Sequence, residues 1–460
     1  MNKIAIDPTI FRAYDIRGIV DQTLTIESVN LVGKAVASMV IDNGSNEIVV
    51  GRDGRLSSPK LFKALIAGIM STGCHVIDLG IVTSPLLYFA TSTLGANSGI
   101  MITGSHNPPE YNGLKVVLEG RTLTSDGIQS IFQRIKKEAF AKGVGTIREA
   151  HVINSYLDRI CQDVHIDRPL KVVIDCGNGV AGVVAGQLYR ALGCEVEELF
   201  CNIDGHFPNH YPDPSVIENL KDISRAVVEK NADIGLAFDG DADRLGIVTN
   251  KGTVIFADRI LMLLAQDLLL RNPGAKIVYD VKCTHLLKEV ILESGGVPLM
   301  VKTGHSNIKA AIIENHAALG GELSGHIFFK ERWYGFDDAI YSGARALEIL
   351  SKQKKTLDTL FSEFPDSVNT PELKLPISEE EKFKFMDEFR DKAKFENANI
   401  ITIDGLRVEF KDGWGLIRPS NTTPSLILRF EANDETALKR IEEIFRKEIL
   451  AINPKLELPF

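Results

Sequence analysis

Cysteine is scarce in this chain. Six occur in 460 residues, at positions 74, 161, 176, 194, 201 and 283, and no two form a Cys-x-x-Cys pair. Most sit in apolar, strand-like contexts, so buried, reduced thiols and a reducing compartment are expected rather than a disulfide framework. Positive charge is also in deficit. Fifty-two Lys and Arg face 61 Asp and Glu, for a net charge of −9, which argues against general nucleic-acid binding. If the ligand is an anion, the cations that hold it must be gathered locally. No run approaches 18 apolar residues; the segment from Ile260 to Leu270 is broken by Gln266 and Asp267, so no membrane span is expected. The opening MNKIAIDPTIFRAYDIRG lacks an apolar core of signal-peptide length, and a soluble cytoplasmic protein is expected. No low-complexity linker interrupts the chain, which predicts domains packed against one another.

With 44% hydrophobic and 25% charged residues, the chain can bury several cores, and its length suggests about three domains of roughly 150 residues. One pattern recurs three times. Ile48-Val49-Val50, Val172-Val173-Ile174-Asp175 and Ile277-Val278-Tyr279-Asp280 are apolar runs, each followed by a polar loop. Helical patterns follow at 59–71, 182–192 and 284–294, then glycine stops and strands at 74–79, 194–200 and 297–301. Each reads as a βαβ unit, and the three together as related α/β domains. The last stretch differs. Ser378 and Glu381 fit a capping box opening a charged helix to Lys394. Strands at 400–403, 407–410, 416–418 and 425–431, a Lys411-Asp412-Gly413 hairpin turn and a closing helix at 434–449 give an α+β module. Boundaries fall near 150, 253 and 367, giving units 1–150, 151–253, 254–367 and 368–460.

Five short motifs carry candidate chemistry. Thr103-Gly104-Ser105-His106-Asn107-Pro108 follows an apolar strand and exposes a hydroxyl. A nucleophile elbow needs glycines two before and two after the serine; Thr103 and Asn107 stand there instead. Asp239, Asp241 and Asp243 lie within five residues between two apolar strands. Carboxylates so close repel unless a cation joins them, and oxygen-only ligands favour Mg²⁺ or Ca²⁺. An EF-hand is excluded by Arg244 and Asn250 at the positions that need Gly and Glu. Gly177-Asn178-Gly179-Val180-Ala181-Gly182 matches a dinucleotide fingerprint, with Glu195, Glu197 and Glu198 near the distance of a ribose-binding acid. Its βαβ unit recurs elsewhere without those glycines, so a structural tight turn is the better reading. Gly321-Glu322-Leu323-Ser324-Gly325-His326 suits the vicinal hydroxyls of a sugar. Arg418-Pro419-Ser420-Asn421-Thr422-Thr423-Pro424 offers a guanidinium and several hydroxyls to a phosphate. Each has a plain alternative as a capped turn.

In this order, the Ser105, Asp-triplet, Glu322 and Arg418 motifs resemble the α-D-phosphohexomutase superfamily over essentially the whole chain. Within it the GELSGH and RPSNTTP loops resemble the bacterial phosphomannomutase/phosphoglucomutase branch. Leu323 and the Asn421-Thr422-Thr423-Pro424 run count against the phosphoglucosamine mutases. The resemblance implies three related mixed α/β domains plus a C-terminal α+β domain around one central cleft. It implies reversible interconversion of hexose 1- and 6-phosphates, of mannose or glucose, through a phosphoserine at Ser105 and a 1,6-bisphosphate. Asp239, Asp241, Asp243 and the phosphate on Ser105 would hold Mg²⁺. Glu322 and Ser324 would bind sugar hydroxyls; Arg418, Ser420, Asn421 and Thr422 the phosphate that does not react. Tyr14, Arg17, Lys115, Arg244, Lys282, Gly304, His305 and the Trp333-Tyr334 region are implicated by the same match. Arg244 would stabilise charge on the transferring group, and His326 and Lys115, tuned by Arg17, would move protons. A hexose 1,6-bisphosphate would serve as activator, phosphohexoses, and neither nucleic acid nor membrane, as partners, and the enzyme would be a monomer. The competing readings are a phosphoglucosamine mutase, a NAD-dependent oxidoreductase built on Gly177–Gly182, and a non-catalytic phosphosugar-binding relative.

Overall fold

A computed structural model describes residues 6–420 and 423–460. Four sheets succeed one another along the chain. In the first, the strands lie in the order Ile16–Ile19, Tyr111–Leu118, Gly99–Ile102, Glu47–Arg52, His75–Ile81, Ile147–Glu149. The second runs Val254–Ile255, Leu245–Thr249, Ile234–Phe238, Lys171–Asp175, Glu195–Leu199. The third runs Val297–Val301, Lys276–Asp280, Leu319–Gly321, Ile327–Phe329. The fourth is wholly antiparallel, with Ser425–Ala432 and Gly413–Pro419 at its centre.

The three expected βαβ repeats are present as parallel pairs: Glu47–Arg52 with His75–Ile81, Lys171–Asp175 with Glu195–Leu199, and Lys276–Asp280 with Val297–Val301. Apolar strand residues face helices on both sides, which is why these runs are apolar without alternation. On its other side, each first strand pairs in parallel with a third strand, which then turns into an antiparallel hairpin. The hairpin turns are residues 103–110, 239–244 and 322–326. The serine, the aspartates and the Glu322 loop therefore occupy one topological position used three times.

Two local expectations shift. The helix expected at 182–192 is divided into a 3₁₀ turn Val180–Val183 and a helix Ala185–Ala191. The glycines at 179, 182 and 186 explain it, because they favour close packing over helix continuity. The capping box at Ser378 is half formed. Its hydroxyl accepts from the Glu381 amide and donates to the Glu381 carboxylate, which does not reach the Ser378 amide.

One large hydrophobic core draws residues from all three α/β units, from Val49 to Phe361. The C-terminal unit has its own core around Phe389, Phe430 and Phe445. It meets the third unit through Trp414 and Leu416 against Val281 and through a polar seam, in which Arg407 Nη1 donates to the carbonyls of Val281 and Cys283 at 2.7 and 2.8 Å, Arg429 Nη1 to the Lys282 carbonyl at 2.6 Å, and the Thr284 hydroxyl to Glu431 at 2.5 Å.

Candidate active site

Ser105 sits in a buried turn with φ +49°, a left-handed conformation that costs a non-glycine residue energy and so needs external support. Arg55 supplies it. Its guanidinium is buried beneath the loop and donates to four main-chain carbonyls, Ser105 and Asn107 through Nη2 at 2.6 and 2.5 Å, and Pro108 and Tyr111 through Nη1 at 2.6 and 3.0 Å. Asp53 completes the frame. It accepts from the amides of Gly104 and Arg55 at 3.1 and 3.0 Å and from the Ser58 hydroxyl at 2.5 Å. A side chain at Gly104 would strike Arg55 at 2.5 Å, so only glycine admits this approach. Arg17 reaches the same loop through the Asn107 side chain.

The serine hydroxyl donates to Asp239 Oδ2 at 2.6 Å, across the boundary between the first and second units. Asp239, Asp241 and Asp243 are all fully buried. Lys115, from the serine's own hairpin, reaches Asp241 Oδ2 at 2.6 Å and also Asp243. Burial, then repulsion from Asp241 and Asp243, raises the Asp239 carboxyl well above the usual carboxylate range. Burial acts the same way on Asp241, but Lys115 and Ser84 outweigh it and hold that group below the range. Burial opposes the charge on Lys115 as well, and the paired aspartates override it, so the ammonium is held strongly protonated. Asp241 Oδ1 and Asp243 Oδ1 are buried without hydrogen-bond partners. Three converging carboxylates with two orphaned oxygens suit a hard divalent cation bound by oxygen.

From the third unit, Glu322 is buried, and burial pushes its carboxyl above the ordinary value. It accepts from the Gly304 amide and from Ser324 Oγ at 3.3 Å. Gly304 has φ +126°, and a side chain there would meet the Tyr14 ring at 2.5 Å. Tyr14 in turn donates to the Thr303 carbonyl at 2.7 Å, tying the first unit to the third. His326 accepts from Arg244 Nε at 3.0 Å, and its Nδ1 lies 3.0 Å from Asp337. His305 stacks on the His326 ring, with centroids 5.4 Å apart. Desolvation, then Lys309, keeps His305 neutral. Lys282 lies between Glu372 at 3.0 Å and Asp280 at 3.9 Å.

In the C-terminal unit, Arg418 Nε donates to Asp404 at 2.9 Å, while its buried Nη2 has no hydrogen-bond partner among the described residues. Lys382 is buried under the adjoining loop and donates to the Ser420 carbonyl at 2.6 Å. Asn421 and Thr422 lie outside the described residues. Asp404 also accepts from the Thr303 amide at 3.1 Å. Beside this junction opens a cavity of about 520 Å³ lined by Tyr14, Lys302, Thr303, Arg390 and Asp404 among others. Loops from all four units thus meet: the first touches the second and third, the second touches the third, and the third touches the fourth.

Two residue groups fall elsewhere. The Gly177–Gly182 turn packs against the metal-type loop: a side chain at Gly179 would lie 2.9 Å from Gly240, and one at Gly182 would lie 1.9 Å from the Cys201 carbonyl. Its glycines serve chain-to-chain approach, as the tight-turn reading expects. Trp333 is buried, stacked on Tyr341 at 4.3 Å, and donates to Asp338 at 3.1 Å. The indole, which the family match had singled out with Tyr334, fills the core between units. Sequence reasoning passed over Asp53, Arg55, Asp337 and Asp404. For the first two a signal existed: charged residues between Gly51 and Arg55 directly after an apolar strand. The other two stand in ordinary loop composition.

Comparison with known proteins matches four family models in succession. They are the phosphoglucomutase/phosphomannomutase alpha/beta/alpha domains I, II and III at residues 8–142, 154–252 and 256–368, and the C-terminal domain at 372–448. A phosphomannomutase/phosphoglucomutase of Pseudomonas aeruginosa is 52% identical over 452 residues, 98% of each chain. A phosphoglucomutase of Neisseria gonorrhoeae is 51% identical over 454 residues, again 98% of each. The crystal structure of a phosphoglucomutase/phosphomannomutase family protein from Burkholderia thailandensis superposes with TM-score 0.95 at 49% identity, covering 99% of this chain and 100% of that one.

Proposed function

The chain belongs to the phosphoglucomutase/phosphomannomutase family of the α-D-phosphohexomutase superfamily, and on that premise we propose that it interconverts hexose 1- and 6-phosphates, of mannose or glucose, by way of a phosphoserine at Ser105. The observation that carries this reading is the Ser105 hydroxyl set 2.6 Å from Asp239 by a loop that Arg55 holds in a strained turn. Phosphoryl transfer needs little covalent help beyond alignment and charge neutralisation. Ser105 passes its phosphoryl group to the free hydroxyl of the monophosphate, and the group at the other end then returns to Ser105. Arg418, with Ser420, Asn421 and Thr422, grips the phosphate that is not reacting; the buried Arg418 Nη2, which has no hydrogen-bond partner among the described residues, supports that contact. Glu322 and Ser324 bind sugar hydroxyls, and Tyr14, Lys282, Gly304 and His305 shape the wall around them. Arg244 neutralises the transferring oxygens. His326, held by Asp337 at Nδ1, takes the proton of the attacking hydroxyl at Nε2 once Arg244 leaves that nitrogen for the transferring phosphoryl group. Lys115 and Arg17 serve the same end of the cleft.

Asp239, Asp241 and Asp243 would hold Mg²⁺, which when bound neutralises charge on the phosphoserine. A hexose 1,6-bisphosphate primes the serine. Among the described residues no helix is long and apolar enough to cross a membrane; a cytoplasmic monomer acting on phosphohexoses is the setting proposed. The test is intact mass and turnover with glucose 1-phosphate, Mg²⁺ and a bisphosphate primer. Wild type gains one phosphoryl group at residue 105, and Ser105→Ala gains none and loses nearly all turnover while still binding the sugar phosphate. Wild-type turnover in Ser105→Ala refutes the carrier role.

A further inference from the structure

The second α/β unit holds a pair of thiols that the mutase chemistry does not use. Cys176 Sγ and Cys201 Sγ lie 3.1 Å apart, closer than two sulfur atoms in ordinary van der Waals contact. Among the described residues no other cysteine sulfur lies within hydrogen-bonding distance of a second. Cys176 is buried and Cys201 half-buried, so a small solute reaches Cys201 first. The two follow the ends of the strands Lys171–Asp175 and Glu195–Leu199, and the chain around them is tightly packed. The Cys176 and Asn178 amides donate to the Leu199 and Phe200 carbonyls at 3.1 and 2.8 Å, and Gly182 presses on the Cys201 carbonyl. This same turn supports the aspartate loop. The Val180 amide donates to the Gly240 carbonyl at 3.1 Å, and Gly179 abuts Gly240.

We infer that Cys176 and Cys201 are a reversible peroxide-sensitive site, whose disulfide form displaces the aspartate loop and lowers mutase activity. The peroxide oxidises the Cys201 thiolate to a sulfenic acid, releasing hydroxide. The Cys176 sulfur then attacks that sulfur, the S–O bond breaks, and the Cys176 proton leaves with the hydroxyl as water. In sum two thiols and one hydrogen peroxide give one disulfide and two waters. The order follows from exposure: half-buried Cys201 meets the peroxide first, and Cys176, buried behind it, is the resolving partner. A disulfide needs its sulfurs at about 2.05 Å, about 1 Å closer than they stand, and in a turn packed this tightly part of that closure falls on the backbone. The 176–180 turn, which bears on Gly240, takes up part of that movement. Loss of activity rests on reading the aspartate loop as the Mg²⁺ site; formation of the bond does not.

The experiment treats the full-length, Mg²⁺-loaded enzyme with sub-millimolar hydrogen peroxide, then alkylates free thiols, maps peptides and measures turnover against Mg²⁺. A Cys176–Cys201 linked peptide is expected, with a roughly tenfold rise in the Mg²⁺ needed for half-maximal turnover, reversed by dithiothreitol. Cys201→Ser and Cys201→Ala should keep basal activity and resist peroxide. Absence of the linked peptide, or an equal loss in both variants, overturns the site. A linked peptide with unchanged Mg²⁺ dependence overturns its regulatory role.

Discussion

Replacing Arg55 with lysine keeps the charge and removes the fork. The arginine is 2% exposed and spans four carbonyls of the serine loop through two nitrogens. A lysine ammonium is a single point with three donors; with one of them drawn to Asp53, the partner of the arginine, roughly two of those carbonyls are left without a partner. At about 1–1.5 kcal/mol for each net bond, the turn carrying Ser105 loses about 2–3 kcal/mol of support. Each 1.36 kcal/mol is a factor of ten in rate, so kcat should fall roughly 30- to 150-fold. Arg55 touches neither Glu322 nor Arg418, so KM for glucose 1-phosphate should stay within about twofold. A coupled assay that reports hexose 6-phosphate gives both constants. Hydrogen exchange supplies the second readout, because amides 104, 105, 107 and 111 are each bonded within this frame and should exchange faster in the variant. Wild-type kcat with unchanged exchange over 104–111 would refute the argument that Arg55 sets the geometry of the serine.

Arg418→Ala removes a charged contact worth about 1.5–3 kcal/mol, so KM for the sugar phosphate should rise roughly 10- to 100-fold in steady-state kinetics while the melting temperature changes little. Asp338 is raised to about 7 by burial, against lowering contacts from the Tyr341 amide, Tyr156 and Trp333. Its folded pKa exceeds the unfolded value, so its contribution is most favourable below about pH 4 and is lost progressively as pH rises to about 7. Asp338→Asn should therefore flatten the pH dependence of thermal unfolding across that window. Gly182→Ala places a methyl group 1.9 Å from the Cys201 carbonyl. It should lower stability by about 1–3 kcal/mol in denaturant titration, whereas a glycine that only shaped a nucleotide site would tolerate the change.

Much of this architecture was legible because its signals are local. The three apolar runs, each closed by a loop, a helical pattern and a glycine, map directly onto parallel strand pairs. The Ser105, Asp239 and Arg418 motifs stood out because their composition is costly unless something pays for it. Three carboxylates in five residues repel, and a serine flanked by Gly104 and Pro108 breaks the strand. What stayed hidden depends on distance in the chain. Nothing near Asp337 announces that it will lie beside His326, and Asp404 meets Arg418 only through strand pairing in the last sheet. Trp333 carried no role in the sequence because a tryptophan beside a tyrosine does not say whether it lines a site or fills a core, and the stack on Tyr341 puts it in the core. The triple use of one hairpin turn escaped for a related reason: strands such as Leu319–Gly321 are three residues long, too short for periodicity to register.

The way apolar residues are shared sets a limit on how this chain can be altered. The first three units are fused through common side chains, so exchanging one for its counterpart in a relative means rebuilding an interior. The fourth is fastened by a handful of polar grips around Trp414. A chimera that borrows only that final segment would leave the shared interior intact and have to match a polar seam: Arg407 and Arg429 against the 281–284 strip, Glu431 against Thr284 and His285, Glu372 against Lys282, and Asp404 against Thr303.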